Sequence, residues 1–321
     1  MIKELARCVR EYKWAAILGP VCMIGEVYME TRIPLVLSNV VDRGVTAGDM
    51  GAVVHYGLIL VLQTLLSMLF AIASAFYASY AATGFARNLR HDMYYKVQTF
   101  DFANIDKFST ASIVTRLTSD VANIQMTFQM MIRMAIRCPM MLILATTNAF
   151  SISPRLCLVY CVALPILAVG LLIMMKVVHP IFDRVFKTYD KLNNVVQENI
   201  HGIRVVKSFV REDRETEKFT SVSGQIYNDF CRAERIMAFN SPLMQLTVYA
   251  CILTISYLGA VMVVQSGNGT LSGGLTTGQL TSMFTYTTQI LSSLMMLSMV
   301  FVMITLSRPS IPNRKKIVNF F

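Results

Sequence analysis

The chain has 321 residues, of which 55% are hydrophobic and 15% charged, with a mean hydropathy of +0.53, whereas ordinary soluble domains carry about 25% charged residues. That balance excludes a soluble globular domain and indicates a polytopic membrane protein. The formal net charge of +10 does not indicate nucleic acid, because the basic residues are interleaved with acids between apolar runs instead of forming a block.

In chain order, the first element is amphipathic. Ile2, Leu5, Ala6 and Val9 share one helical face and Lys3, Arg7 and Arg10 the other, which predicts a helix over 1–12 lying along the membrane surface. The apolar run that follows continues past Val36 without a small-residue cleavage site, so it is a retained span and not a signal peptide. Crossing a ~30 Å hydrocarbon core takes about 20 apolar residues. Six segments meet that length, with spans expected at 14–41, 53–78, 131–151, 155–177, 240–264 and 278–306.

The second segment is longer than a membrane needs. No proline occurs from Ala52 to Thr99 and helical periodicity persists beyond Ala78, which predicts one helix of about 45 residues, ~65–70 Å long. Charged helical continuations also lead into the third span, follow the fourth after His179 and precede the fifth. Two connections thus read as long helical hairpins with short polar tips. Lys and Arg are dense on the hairpin side and sparse on the other, so the positive-inside rule places the hairpins and both termini in the cytoplasm of a cell-membrane protein. A channel or secondary carrier has little reason to build such hairpins, whereas a machine driven by a cytoplasmic partner does.

Within the first span, Glu26 and Glu30 are four residues apart and share a face. Ionised carboxylates at membrane depth are costly and face a cavity or a partner, so they are candidates for attracting cations into an inward-open cavity; a structural pair with Arg32, water or a neighbouring helix is the alternative. Pro34 removes the donor for the Glu30 carbonyl, and a kink is expected there. Arg133 and Arg137 sit at the cytoplasmic entry of the third span, where they could contact lipid phosphates or acidic residues, with interfacial snorkelling as the default. The last span carries Met283, Met295, Met296, Met299 and Met303, an adaptable apolar surface. There Tyr286, Gln289 and Met296 share a face and join Glu26 and Glu30 as candidate cavity residues. The seven cysteines form no CxxC pair and the four histidines are scattered, so no catalytic, metal or cofactor site is expected in this chain.

The hairpin tips are more informative. Thr99 to Val121 mixes turn-forming Asp101, Asn104 and Asp106 with Phe100, Phe102, Ile105 and Phe108, either a docking knob or a surface packed on the neighbouring hairpin. In Gln197 to Glu215, Val205, Val206, Phe209 and Val210 form an apolar ridge beside Arg204, Lys207 and Arg211, suited to a partner's groove.

FSTASIVTRLTSDV, followed about 80 residues later by ENIHGIRVVKSFVRE in a six-span frame, resembles the type 1 transmembrane domain of bacterial ABC exporters, over nearly the whole chain to about Ser307. ASYAATGFARNLRHDMYYKVQ and MIRMAIRCPMMLI resemble one subunit of heterodimeric multidrug exporters. The resemblance implies an all-α fold of six long transmembrane helices with cytoplasmic extensions and two coupling helices. Matched residue by residue, the first coupling helix would be Phe102, Ala103, Asn104, Ile105, Asp106, Lys107 and Phe108. The second would be Ile203, Arg204, Val205, Val206, Lys207, Ser208, Phe209, Val210 and Arg211, reaching across to the opposite subunit. It further implies a dimer of two such domains, homomeric or heteromeric, in membrane lipid. ATP and Mg would be bound by cytoplasmic nucleotide-binding domains, and small amphipathic compounds would be exported by alternating access.

No GxxxxGK[ST] motif occurs, so this chain by itself is not expected to hydrolyse ATP. After Ser307-Arg308 the family pattern gives way to Pro309 and Pro312, making 308–321 an atypical tail. Either the ATPase is a separate chain or the reading frame is truncated or altered, and the prolines favour the second. A truncated fragment that at most dimerises, and a nucleotide-independent six-span channel or carrier, are the competing readings. LSGGLTTGQL, Leu271 to Leu280, imitates the LSGGQ nucleotide signature but falls in the cation-poor fifth connection, where it reads as a loop with Thr276 or Thr277 capping the last span. Thr277-Gly278 matches the family's threonine-glycine at the start of the sixth span.

Overall fold

The computed structural model describes residues 8–99, 110–267 and 274–306. Among these, all regular structure is helical: α1 (Lys13–Asn39), a π-helical segment (Val40–Val45), α2 (Met50–Gln98), a short helix (Thr110–Thr115) leading through a π-helical segment (Arg116–Asp120) into α3 (Val121–Ile152), α4 (Pro154–Ser208), α5 (Glu212–Ala238), α6 (Asn240–Gln265) and α7 (Thr277–Leu306). The fold is that of an all-α polytopic membrane protein. α2 starts where the Asp49 carboxylate accepts from Gly51 N and Ala52 N at 2.8 and 3.2 Å, a side-chain N-cap. With no internal proline it runs for 49 residues, about 75 Å and more than twice the hydrocarbon thickness.

Among the described residues, four helical stretches contain, by length and composition, a segment able to cross a membrane: Met50–Gln98, Ile113–Ile152, Pro154–Ser208 and Glu212–Gln265. α1 and α7, with 27 and 30 residues, are also long enough to span. The apolar character of α1 is diluted by Glu26, Glu30 and Arg32, whereas α7 carries no charged residue. α1 continues through Pro20 and Pro34 before widening into the π-helical segment, whose wide turns are closed by Thr46 N donating to Val41 O and Asp49 N to Gly44 O.

The chain divides into two compact units, one comprising residues 1–164 and 248–300, the other 165–247, besides parts of the C-terminal region. In the first, α1 packs along α2 and α3, burying Met23, Val27 and Met141. A second core joins Ala145, Ala149, Leu156, Tyr160, Ile255, Met283, Tyr286 and Ile290. A third, on the charged half of α2, contains Phe85, Leu89, Met93 and Val121, with Phe85 stacked on Phe128 at 4.5 Å. Where the sequence predicts a surface helix over 1–12, residues 8–12 instead form a turn and a 3-10 helix, Arg10–Tyr12, set against this third core; residues 1–7 lie outside the described residues. Cys8 and Val9 are buried there, Asn88 Nδ2 donates to Cys8 O at 2.9 Å, and Arg10 Nη2 reaches both Asp92 oxygens at 3.0 and 3.1 Å. Val9, the described residue of the apolar face, packs with Phe85, Leu89 and Met93, and the Tyr12 ring lies where a side chain on Gly84 would be.

The second unit contains a hairpin of α4 and α5. Val178, Ile181, Phe182 and Ala233 form its core with Phe230, Ile236 and Met237, and Phe182 meets Phe230 edge-on at 5.9 Å. Ion pairs Lys218–Glu198 at 2.8 Å and Arg184–Asp229 at 3.7 Å join its helices; exposed pairs of this kind add little to stability.

Candidate functional site

The carboxylates on α1 meet a cation from α3. Arg137 Nη2 lies 2.7 Å from Glu30 Oε2, and Nη1 bonds Glu26 Oε1 and approaches Met23 Sδ at 3.9 Å. Of the two contacts the sequence allows Arg137, lipid phosphate by default or acidic residues, the structure shows the second. Two ionised carboxylates one turn apart on a spanning helix demand a cation, and the arginine stem is long enough to carry a guanidinium to them. Arg133, one turn earlier, is exposed. Arg32 does not serve Glu30; its guanidinium sits 5.2 Å from the centroid of the Tyr28 ring. The signal that would have found Arg137 was charge balance, since it is the cation nearest the middle of a neighbouring span.

The other candidate residues, on α7, do not form one group with these. Tyr286 is buried, and its hydroxyl donates to Thr31 O at 2.7 Å, while Asn148 Nδ2 donates to the same carbonyl at 3.1 Å. Ser282 Oγ donates to Pro34 O at 2.6 Å. These side chains satisfy α1 carbonyls around a proline that disturbs the helix ladder, so Tyr286 ties α1 to α7. Gln289 is half-buried, and its buried Oε1 has no hydrogen-bond partner among the described residues. Met296 is exposed.

At the other end of α1, Asp42 holds the start of α7. Its Oδ1 accepts from Gly278 N at 2.8 Å and its Oδ2 from the Thr276 hydroxyl at 2.5 Å. Thr276 also caps α7: its Oγ1 accepts from Gln279 N, and Gln279 Oε1 accepts from Thr276 N, both at 3.2 Å, a reciprocal capping box. A carboxylate at a helix N-terminus is favoured by the helix dipole and the unpaired N–H groups. Gly278 is required because a Cβ there would overlap Ser38 O and lie 2.7 Å from Asp42 Oδ2. Within LSGGLTTGQL, residues 271–273 lie outside the described residues; from Gly274 the chain leads directly into this cap.

The first expected coupling helix, 102–108, lies outside the described residues. In the second, Ile203 to Ser208 are the last residues of α4, and Phe209 to Arg211 form the turn into α5. Arg211 N donates to Val206 O and Val210 N to Lys207 O, a Schellman ending in which the left-handed position, usually glycine, is Val210 with φ 52°. A β-branched residue there is strained by roughly 1–2 kcal/mol. The turn presents Phe209 and Val210 at 72% and 80% exposure, and Lys207 Nζ reaches Glu212 Oε1 across it at 2.9 Å. That hydrogen bond holds the Glu212 carboxyl below its ordinary pKa. Behind the tip, a groove of about 330 Å³ runs between α4 and α5, lined by Val195, Asn199, Ile203, Val206, Glu215 and Phe219 among others.

Comparison with known proteins gives a consistent picture. Residues 16–295 match the family model of the ABC transporter transmembrane region. The chain is 26% identical over 302 residues to YfiB of Bacillus subtilis (strain 168), an uncharacterized ABC transporter ATP-binding protein, covering 94% of this chain and 52% of that protein. An uncharacterized ABC transporter ATP-binding protein of Mycobacterium tuberculosis is 27% identical over 299 residues, 93% of this chain and 50% of its own length. An ATP-dependent lipid A-core flippase of Desulfotalea psychrophila is 26% identical over 176 residues, 55% of this chain and 30% of that protein. The chain spans about half the length of the first two relatives.

Proposed function

We propose, on the premise that this chain belongs to the family of ABC transporter transmembrane regions, that it is the membrane-spanning part of an ATP-driven exporter of amphipathic compounds. The observation that carries the reading is the second hairpin tip, an exposed Phe209-Val210 pair held out on a strained turn and flanked by Arg204, Lys207 and Arg211. Exposed apolar side chains on a short tip seek a groove, and residues kept in strained conformations cluster at functional positions.

In this account the hairpins and both termini are cytoplasmic, two such transmembrane domains assemble in the cell membrane, and the tips, 102–108 and 203–211, dock on nucleotide-binding domains. Those domains bind ATP and Mg; closing them drives the cavity from inward to outward facing. The Glu26–Arg137–Glu30 cluster and the α1–α7 ties sit on helices that must change their packing in such a cycle, and packed helices switch between discrete arrangements instead of deforming smoothly.

The test is flux of a fluorescent neutral amphipath, Nile red, in inside-out vesicles containing this chain with its cognate nucleotide-binding domains. Accumulation that requires ATP is expected. Equal flux without ATP would establish a channel or carrier instead, and no flux in either condition a transport-inactive fragment.

A further inference from the structure

The Glu26, Glu30 and Arg137 cluster is not balanced. Two carboxylates share one guanidinium, each held through a single oxygen, so the cluster has one acidic group more than it has cations, at a depth where unbalanced ionised groups are expensive. Glu26 is 8% exposed, and its second oxygen, Oε2, is buried without a hydrogen-bond partner among the described residues. The α1 face around Glu26 is apolar, with Met23 and Val27 packed on Met141.

One carboxylate more than there are cations, a buried Glu26 oxygen without a donor and an apolar wall together describe a ligand: a monocation with N–H groups on a lipophilic body. We propose that Glu26 is the anchor for the cationic N–H group of a lipophilic nitrogen base, and that Arg137 withdraws onto Glu30 alone when the cation binds. The exchange pairs every charge one to one, with none left over. Arg137 and Glu30 have the freedom for it, their side chains being 31% and 33% exposed against 11% for Glu26. Arg137 thus occupies the anchor in the absence of ligand. This inference rests on the exporter reading for its substrate, but its test does not.

The experiment uses the chain in phosphatidylcholine nanodiscs, with binding followed by fluorescence anisotropy for rhodamine 6G, a monocation with N–H groups, and for neutral Nile red. Glu26→Gln is expected to weaken rhodamine 6G at least tenfold and leave Nile red within twofold. Arg137→Gln, which leaves both carboxylates without a competitor, is expected to tighten rhodamine 6G severalfold. Unchanged rhodamine 6G binding in Glu26→Gln, no saturable binding to the unaltered chain, or equal weakening of both probes by both variants would overturn the anchor; the last outcome would make the cluster a structural clasp only. Loss of ATP-driven Nile red flux alongside intact rhodamine 6G binding would refute the exporter reading and leave the anchor standing.

Discussion

Replacing Gly278 with alanine should be among the most damaging single-methyl changes in the chain. The added Cβ would overlap the Ser38 carbonyl and lie 2.7 Å from Asp42 Oδ2, and because the first of these is backbone, the ends of α1 and α7 must separate. Overpacking of this kind costs about 1–3 kcal/mol. Separation also lengthens the bonds from Gly278 N and the Thr276 hydroxyl to the Asp42 carboxylate, and a hydrogen bond to a charged group contributes about 1.5–3 kcal/mol. The two losses share one displacement, so together they amount to about 3 kcal/mol. For a chain of this size that lowers Tm by roughly 5–10 °C. The assay is thermal unfolding in detergent, read by a fluorogenic maleimide as buried Cys138, Cys157 and Cys251 become reactive. Gly57→Ala is the control, because a Cβ there meets nothing within 4 Å and adding one to a helix interior is neutral or stabilising by about 0.5–1 kcal/mol. If the two variants melt together, the close approach of α7 to Ser38 is wrong.

Tyr286→Phe should cost about 0.5–1.5 kcal/mol, and because Asn148 donates to the same Thr31 carbonyl, its cost should rise when Asn148 is changed to leucine; a double-mutant cycle on Tm measures the coupling, and strict additivity would refute the shared acceptor. Val210→Gly should raise the stability of the α4–α5 hairpin by about 1 kcal/mol, since glycine accepts φ 52° without strain and the lost side chain is 80% exposed; Val210→Ala should gain far less, and equal gains in hydrogen-exchange protection would contradict the strain argument. Glu212 has its folded pKa depressed from 4.5 by Lys207. Its contribution to closing the tip is therefore complete above the unfolded value and lost as pH falls through the lower folded one. Amide protection over residues 206–212 should drop in that acidic window for the unaltered chain and show a smaller drop in Glu212→Gln; the same profile in both would exclude the pair.

The long helices were legible because their signals are local. An unbroken, proline-free run from Met50 to Gln98 cannot stop at the membrane surface. The capping of α7 was half legible: Thr276-x-x-Gln279 is a capping-box pattern, but Asp42, 234 positions away, has no local sign that it will complete the cap. Similarly, Glu26 and Glu30 announced themselves by their cost, whereas their partner depended on which helix lies beside α1. An arginine read from sequence alone defaults to lipid, and only the packing of α3 against α1 turns Arg137 inward. The N-terminal segment shows the same limit, since the amphipathic pattern over 2–10 says that one face will be covered but not whether by lipid or by Phe85, Leu89 and Met93. The end of α4 was obscured for another reason: a valine at the left-handed position hides a Schellman turn that glycine would have marked.

Docking of the second tip, as proposed, carries nucleotide-driven motion to the membrane helices. Its most direct measurement compares ATP-driven Nile red accumulation by the unaltered chain with that by Phe209→Asp, in vesicles holding equal amounts of chain and nucleotide-binding domains. Phe209 is 72% exposed, so the substitution leaves the hairpin core untouched while placing a charge in the docking surface. At least a tenfold loss of ATP-driven flux with unchanged Tm is expected; undiminished flux would refute docking through this tip.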